Sequence, residues 1–153
     1  MDKMPGLKLC GRRMCVLMLI ALNIGCGTAP KPDDPKLQDA KRVWQTIPIY
    51  PGMTEATENT IQADSPLVFT KTYKSDANYA DVETFYTKEL AGWRLLERGE
   101  IKDRGRIRGE QLQRFTKDNY RLLIQFAGER RTELGWDYAI ELSPSNYWKD
   151  KVD

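Results

Sequence analysis

Hydrophobic positions recur along this chain with two periods, and the changes between them outline a small mixed fold. Tyr120, Leu122, Ile124 and Phe126 fall on every second residue, which predicts a strand over 120–126. Leu134, Trp136, Tyr138, Ile140 and Leu142 alternate with Gly135, Asp137, Ala139 and Glu141, the cleanest strand pattern in the chain. Between residues 78 and 92 the period lengthens. Val82, Phe85, Tyr86 and Leu90 share one helical face, Asn78 suits the N-cap, Asp81 and Glu83 suit the early turns, and Gly92 suits the stop.

Shorter strands are predicted over 54–61, 67–73, 93–96 and 111–117. Glu55 and Glu58 in the first of these suit a solvent-facing sheet edge. Pro51-Gly52 fits the centre of a type II turn, residues 63–66 and 128–133 read as polar turns, and Ser143-Pro144 ends the last strand. Asp118-Asn119 is a two-residue hairpin turn. Pairing Phe115 with Leu122 across it also sets Gln113 opposite Ile124, a mismatch that a bulge or another loop length would correct. The sum is an α+β domain: an antiparallel sheet of five or six strands with one main helix packed on one face.

The start of the chain follows different rules. Lys3, Lys8, Arg12 and Arg13 precede an 11-residue apolar run over 14–24, broken only by Asn23 and closed by Gly25-Cys26. A membrane-spanning helix needs ~20 apolar residues, whereas this length matches the apolar region of an export signal. The layout resembles the lipobox of bacterial lipoproteins, with Asn23 where the family usually has Leu. That resemblance implies a diacylglyceryl group on Cys26, cleavage on its N-terminal side, and three acyl chains on the mature protein. Gly27 after the cysteine resembles outer-membrane sorting.

Cysteine and charge counts change meaning at the same point. Cys10 and Cys15 fall in the signal, so Cys26 is the lone cysteine of the remaining chain, which acylation explains and which allows no internal disulfide. Residues 1–25 hold four basic side chains and one acid, so +3 of the total +2 charge leaves with them and the rest carries −1. A near-neutral body argues against nucleic acid as a partner. The expected organisation is a signal over 1–25, the acylated cysteine and a flexible proline-bearing tether over 26–43, an α+β domain over 44–145, and a tail over 146–153. Residues 37–44 could form a helical turn or two within that tether, which if extended reaches roughly 50 Å.

Tyr50-Pro51-Gly52, Phe85-Tyr86, Leu90 and Gly92-Trp93, followed by β-hairpins, are similar to a recurring pattern of uncharacterised bacterial envelope proteins. The resemblance spans about residues 47–142. Its residues are fold-forming, so it implies the α+β layer and an envelope setting and transfers no activity.

The chemistry available is narrow. There is no histidine, which excludes the usual zinc, copper and haem sites and His-dependent nucleophilic catalysis, so neither metal nor cofactor is expected. Nucleophile-elbow, phosphate-loop and calcium-loop motifs are absent too. Asp76, Asp81 and Glu83 form the one obvious carboxylate cluster, at a helix start where acids serve capping. Arg104, Arg106 and Arg108 alternate, so on an extended hairpin tip they would share one side and meet an anionic ligand such as a lipid headgroup; interleaved acids favour a simple solvated tip. Trp93 and Trp136 are expected in the core. Trp44, Tyr147 and Trp148 remain for stacking on glycans or for packing the domain's two ends.

The expectation is therefore a non-enzymatic lipoprotein of the bacterial cell envelope. Cys26 holds it in the membrane, facing the periplasm from the outer membrane, as an interaction or accessory module with an envelope protein partner. Binding of an anionic lipid or glycan is the alternative, and a carboxylate-dependent hydrolase stands last.

Overall fold

The computed structural model describes residues 33–56, 67–103 and 106–146, the side chains of 103, 106 and 107 excepted. The elements run α1 (Pro35–Gln45), β1 (Thr54–Glu55), β2 (Phe69–Lys74), α2 (Tyr79–Glu89), β3 (Arg94–Asp103), β4 (Arg106–Lys117), β5 (Tyr120–Phe126), α3 (Arg131–Leu134) and β6 (Tyr138–Pro144), with a single 3-10 turn, Gly128–Arg130, leading into α3. The strands form one six-stranded sheet in the order β1-β2-β6-β5-β4-β3, and every neighbour is antiparallel. The expected α+β class and antiparallel sheet are thus present.

Topology explains where the main helix lies. β3, β4, β5 and β6 are consecutive hairpin partners, and β6 then closes against β2. The link from β2 to β3 must cross four interstrand steps, about 19 Å. An 11-residue helix is about 16 Å long, so α2 laid over the sheet makes most of that crossing. Asn78 caps it as expected, its Oδ1 accepting from the Asp81 N–H at 3.0 Å. The helix ends at Glu89, with Leu90 rather than Gly92 at its cap.

Register assigns the core to the face under α2. Phe69 and Tyr73 of β2 pair with Leu142 and Tyr138 of β6, which in turn pair with Leu122 and Phe126 of β5; Phe115 of β4 pairs with Leu122. Directly paired residues share a face, and Val82, Tyr86 and Leu90 of α2 pack against this set. Leu122, Ile124, Ile140 and Leu142 are fully buried, each stabilising the fold by about 1.5–3 kcal/mol. A smaller cluster of Ala127, Trp136 and Ala139, with Ala56 and Leu134, fills one corner.

Four expectations need correction. Among the described residues two long helices, not one, pack on the sheet, because α1 is as long as α2 and reaches the same sheet face: the Trp44 ring stacks on Phe69 with centroids 5.9 Å apart. The folded body consequently begins at α1, not at residue 44. Asp34 caps α1 through its Oδ1, Pro35 occupies the first turn, and Leu37 and Ala40 are buried.

The strand expected over 134–142 starts only at Tyr138. Leu134 ends α3, Gly135 takes a left-handed φ of 74°, and Trp136 turns into the corner cluster. The hairpin at Asp118 is regular, with no bulge: Lys117 pairs with Tyr120 and Gln113 does oppose Ile124. Asp118 accepts the positive φ, 52°, that the two-residue turn requires. The bulges lie between β3 and β4 instead, at Leu95/Glu97 and Glu100/Lys102. Residues 57–61 of the first expected strand, and the tail from Tyr147, lie outside the described residues.

Candidate functional site

Of the residues singled out from the sequence, Cys26, Arg104, Tyr147 and Trp148 lie outside those described. Arg106 opens β4 opposite Asp103. Arg108 is half-buried near the turn end of the β3–β4 hairpin, with its guanidinium 3.9 Å from the Glu133 carboxylate. Arg130 makes the next link, 3.3 Å from Glu133 and 3.1 Å from Glu110. Glu110 is only 3 % exposed, so Arg130 neutralises a carboxylate that burial would otherwise make costly. The Arg130 guanidinium is held above its ordinary pKa by its hydrogen bond with Glu133 first and by Glu110 after it. Backbone contact closes the same corner: a Cβ on Gly128, at φ 56°, would stand 2.4 Å from the Arg108 carbonyl oxygen. The turn-side part of the hairpin, at residues 108–110, is clamped to the 3-10 turn.

Two concavities flank the helices. The first, about 620 Å³, lies between α1 and the β4–β5 turn and is lined by Lys36, Asp39, Leu67, Asn119, Tyr120 and Asn146 among others. The Tyr120 hydroxyl donates to Asp39 Oδ2 at 2.8 Å. That bond, and then Arg42, hold the Asp39 carboxyl below its ordinary pKa, whereas burial and the same Asp39 push the Tyr120 phenol up to about 12. These groups tie α1 to the sheet, and their bonding capacity is spent there.

The second concavity is a cleft where β2 turns into α2. One lobe of about 550 Å³ is lined by Ser75, Asp76, Tyr79, Glu83, Gln111, Phe126 and Arg131; an adjoining lobe of about 460 Å³ adds Lys74, Thr132 and Asp137. Its loop is firmly built. The Ser75 N–H donates to Asp137 Oδ2 at 3.1 Å, the Ala77 N–H donates to Ser75 Oγ at 3.2 Å, and the Tyr138 hydroxyl donates to the Ala77 carbonyl at 2.8 Å.

The three acids expected to cluster here have separate duties. Asp81 accepts from the Asn78 side chain at 2.6 Å, Glu83 lies 3.6 Å from Arg98, and Asp76 is exposed without a partner among the described residues. No group of three or more acids, cysteines or histidines is placed to hold a metal among the described residues. Nor is any described helix long and apolar enough to cross a membrane.

No protein-family model, curated protein or solved structure matches this chain.

Sequence reasoning overlooked Gln111, Phe126 and Arg131 as neighbours of the helix start, because they stand on three different elements that only the sheet order brings together. It also placed α1 in the tether, although Asp34-Pro35 is a readable helix start and Leu37, Ala40 and Trp44 keep helical spacing.

Proposed function

We propose that this chain is a lipid-anchored protein of the bacterial cell envelope, held by acylated Cys26 in the outer membrane and facing the periplasm, where it works as a non-enzymatic interaction or accessory module. The observation that carries the reading is the placement of Cys26, directly after a basic start and an 11-residue apolar run and alone in the chain that follows. The short spacer supports it. With helix α1 starting at Pro35, the domain stands within roughly 25 Å of its anchor, close enough to meet partners at the membrane surface. Acylation also supplies a reason for a single thiol in an oxidising compartment.

The test is metabolic labelling with a palmitate analogue beside Cys26→Ser, followed by cross-linking in living cells and mass spectrometry of attached partners. Label on the wild type only, with a reproducible protein partner lost in the variant, is the expected result. A wild-type chain that carries no label and fractionates identically to Cys26→Ser overturns the reading.

A further inference from the structure

The cleft at the start of α2 keeps more hydrogen-bonding capacity than its structural duties use. Tyr79 lines it with only 8 % of its surface exposed, and its hydroxyl has no hydrogen-bond partner among the described residues. Buried hydroxyls are nearly always bonded, so an unpartnered one in the wall of a cleft calls for an explanation. Gln111 on β4, Arg131 on α3 and Asp76 in the loop likewise form no side-chain hydrogen bond or ion pair among the described residues. Three elements thus present an unused amide, guanidinium and carboxylate to one concavity, and the unused Tyr79 hydroxyl lies buried in its wall.

Charge and shape narrow what they can hold. Lys74 and Arg131 face Asp76, Glu83 and Asp137 across the two lobes, and Glu83 already has Arg98. An anion would meet three carboxylates and a cation would meet two basic groups, so the balance favours a neutral ligand. An extended peptide lacks its usual foothold. β2 is paired on one side by β1 and on the other by β6, and β4 is paired on both sides, so neither strand offers a free edge along the cleft. Phe126, half-buried and stacked on Tyr79 with centroids 6.0 Å apart, adds apolar surface beside the polar groups. A pyranose has that same duality, with C–H faces for aromatic rings and vicinal hydroxyls for acid, amide and guanidinium groups.

We propose that this cleft binds a neutral pyranose unit, with Asp76, Gln111 and Arg131 on its hydroxyls and the Tyr79 hydroxyl completing the set. Naming an envelope glycan as the natural source rests on the anchored-protein reading above; sugar binding itself does not. Burial, ahead of its neighbours Glu83 and Tyr138, pushes the Tyr79 phenol above its ordinary pKa, which keeps it a donor at every physiological pH.

The experiment titrates the full chain, in detergent, with the β-1,4-linked tetramer of N-acetylglucosamine, by calorimetry and by amide chemical shifts. Inorganic phosphate and an oligoalanine peptide serve as comparison probes. Saturable sugar binding is expected, with shifts concentrated at residues 75–83, 111, 126 and 131. Arg131→Ala and Gln111→Ala should each weaken it about tenfold or more without changing the thermal midpoint. Tyr79→Phe separates ligand from fold: an unpartnered hydroxyl adds nothing to stability, so this variant should melt no lower than the wild type while binding sugar more weakly.

No sugar binding at millimolar ligand, binding that all three variants leave intact, or preferential binding of phosphate or peptide overturns the proposal. Sugar binding by a chain that carries no lipid would overturn the anchored reading alone, and a lipidated chain blind to sugar would overturn this inference alone.

Discussion

Gln113 of β4 sends its side-chain amide into the Glu83 carbonyl of α2, donating at 3.2 Å across 30 residues of sequence. The same nitrogen donates to the Thr87 hydroxyl at 3.0 Å, so a fully buried amide fastens the sheet to the helix above it. This is why the glutamine can stand opposite Ile124 without a bulge. Its carbonyl oxygen, however, has no partner. Gln113→Leu removes that stranded acceptor while keeping the volume and should cost under about 1 kcal/mol in urea unfolding. Gln113→Ala opens a cavity as well and should cost about 2–4 kcal/mol. Equal costs for the two would mean that the hydrogen bonds, not the packing, dominate.

The Tyr120–Asp39 bond predicts a pH signature for the docking of α1. Asp39 has its folded pKa lowered below the ordinary 3.8, so its contribution is complete above that value and is lost as pH falls through the depressed folded pKa. Wild type should therefore be more stable than Asp39→Asn at neutral pH, and the gap should close only in acid, below about pH 4. Hydrogen exchange of residues 35–45 should rise in Tyr120→Phe, with β5 and β6 little affected. A gap that persists into strong acid would place the effect elsewhere than in the ionised carboxylate.

Alkali probes the core. Burial is the leading cause that raises the phenols of Tyr73 and Tyr120 to about 12 and those of Tyr79, Tyr86 and Tyr138 further. A raised folded pKa contributes stability that is complete below the unfolded value of 10 and is lost as pH rises through the folded one. Stability should thus fall between about pH 10 and 12, and phenolate absorbance of these tyrosines should appear together with loss of far-ultraviolet ellipticity. Phenolate absorbance from these five tyrosines in an intact fold near pH 10 would contradict the desolvation that raises them.

Gly128→Ala tests the clamp on β4 at residues 108–110. The added methyl meets backbone rather than a side chain that could swing aside, and the left-handed φ is itself unfavourable. A loss of about 2–4 kcal/mol is expected, together with faster hydrogen exchange at Arg108 and Glu110. Gly109→Ala has nothing closer than 4.0 Å to meet, so it should be the milder of the two despite its own φ of 67°.

What the sequence determined by itself was local. Alternation in 120–126, the Asn78 cap, the helical stripe Val82, Tyr86 and Leu90, and the Pro51-Gly52 turn each depend on residues within a few positions, and each formed as its periodicity and turn chemistry require. The Met53 N–H closes that turn on the Tyr50 carbonyl at 3.1 Å. The resemblance of residues 1–26 to a lipoprotein export signal likewise rests on local composition and order along the chain.

The tertiary structure decided whatever depends on partners far apart. Alternation runs through Leu134 and Trp136, but Gly135 in a left-handed conformation turns the chain into a corner, where Trp136 packs beside Ala127 and Ala139. A polar residue such as Gln113 looks misplaced until the α2 carbonyl it bonds is above it. The α1 pattern becomes a docked helix only because Phe69 and Tyr120 wait on the sheet. Asp76, Gln111 and Arg131 share a cleft for the same reason: strand order, set by the last strand inserting between the second and the fifth, fixes which distant side chains meet. Periodicity reports the face a residue shows; only the packed sheet determines what stands opposite it.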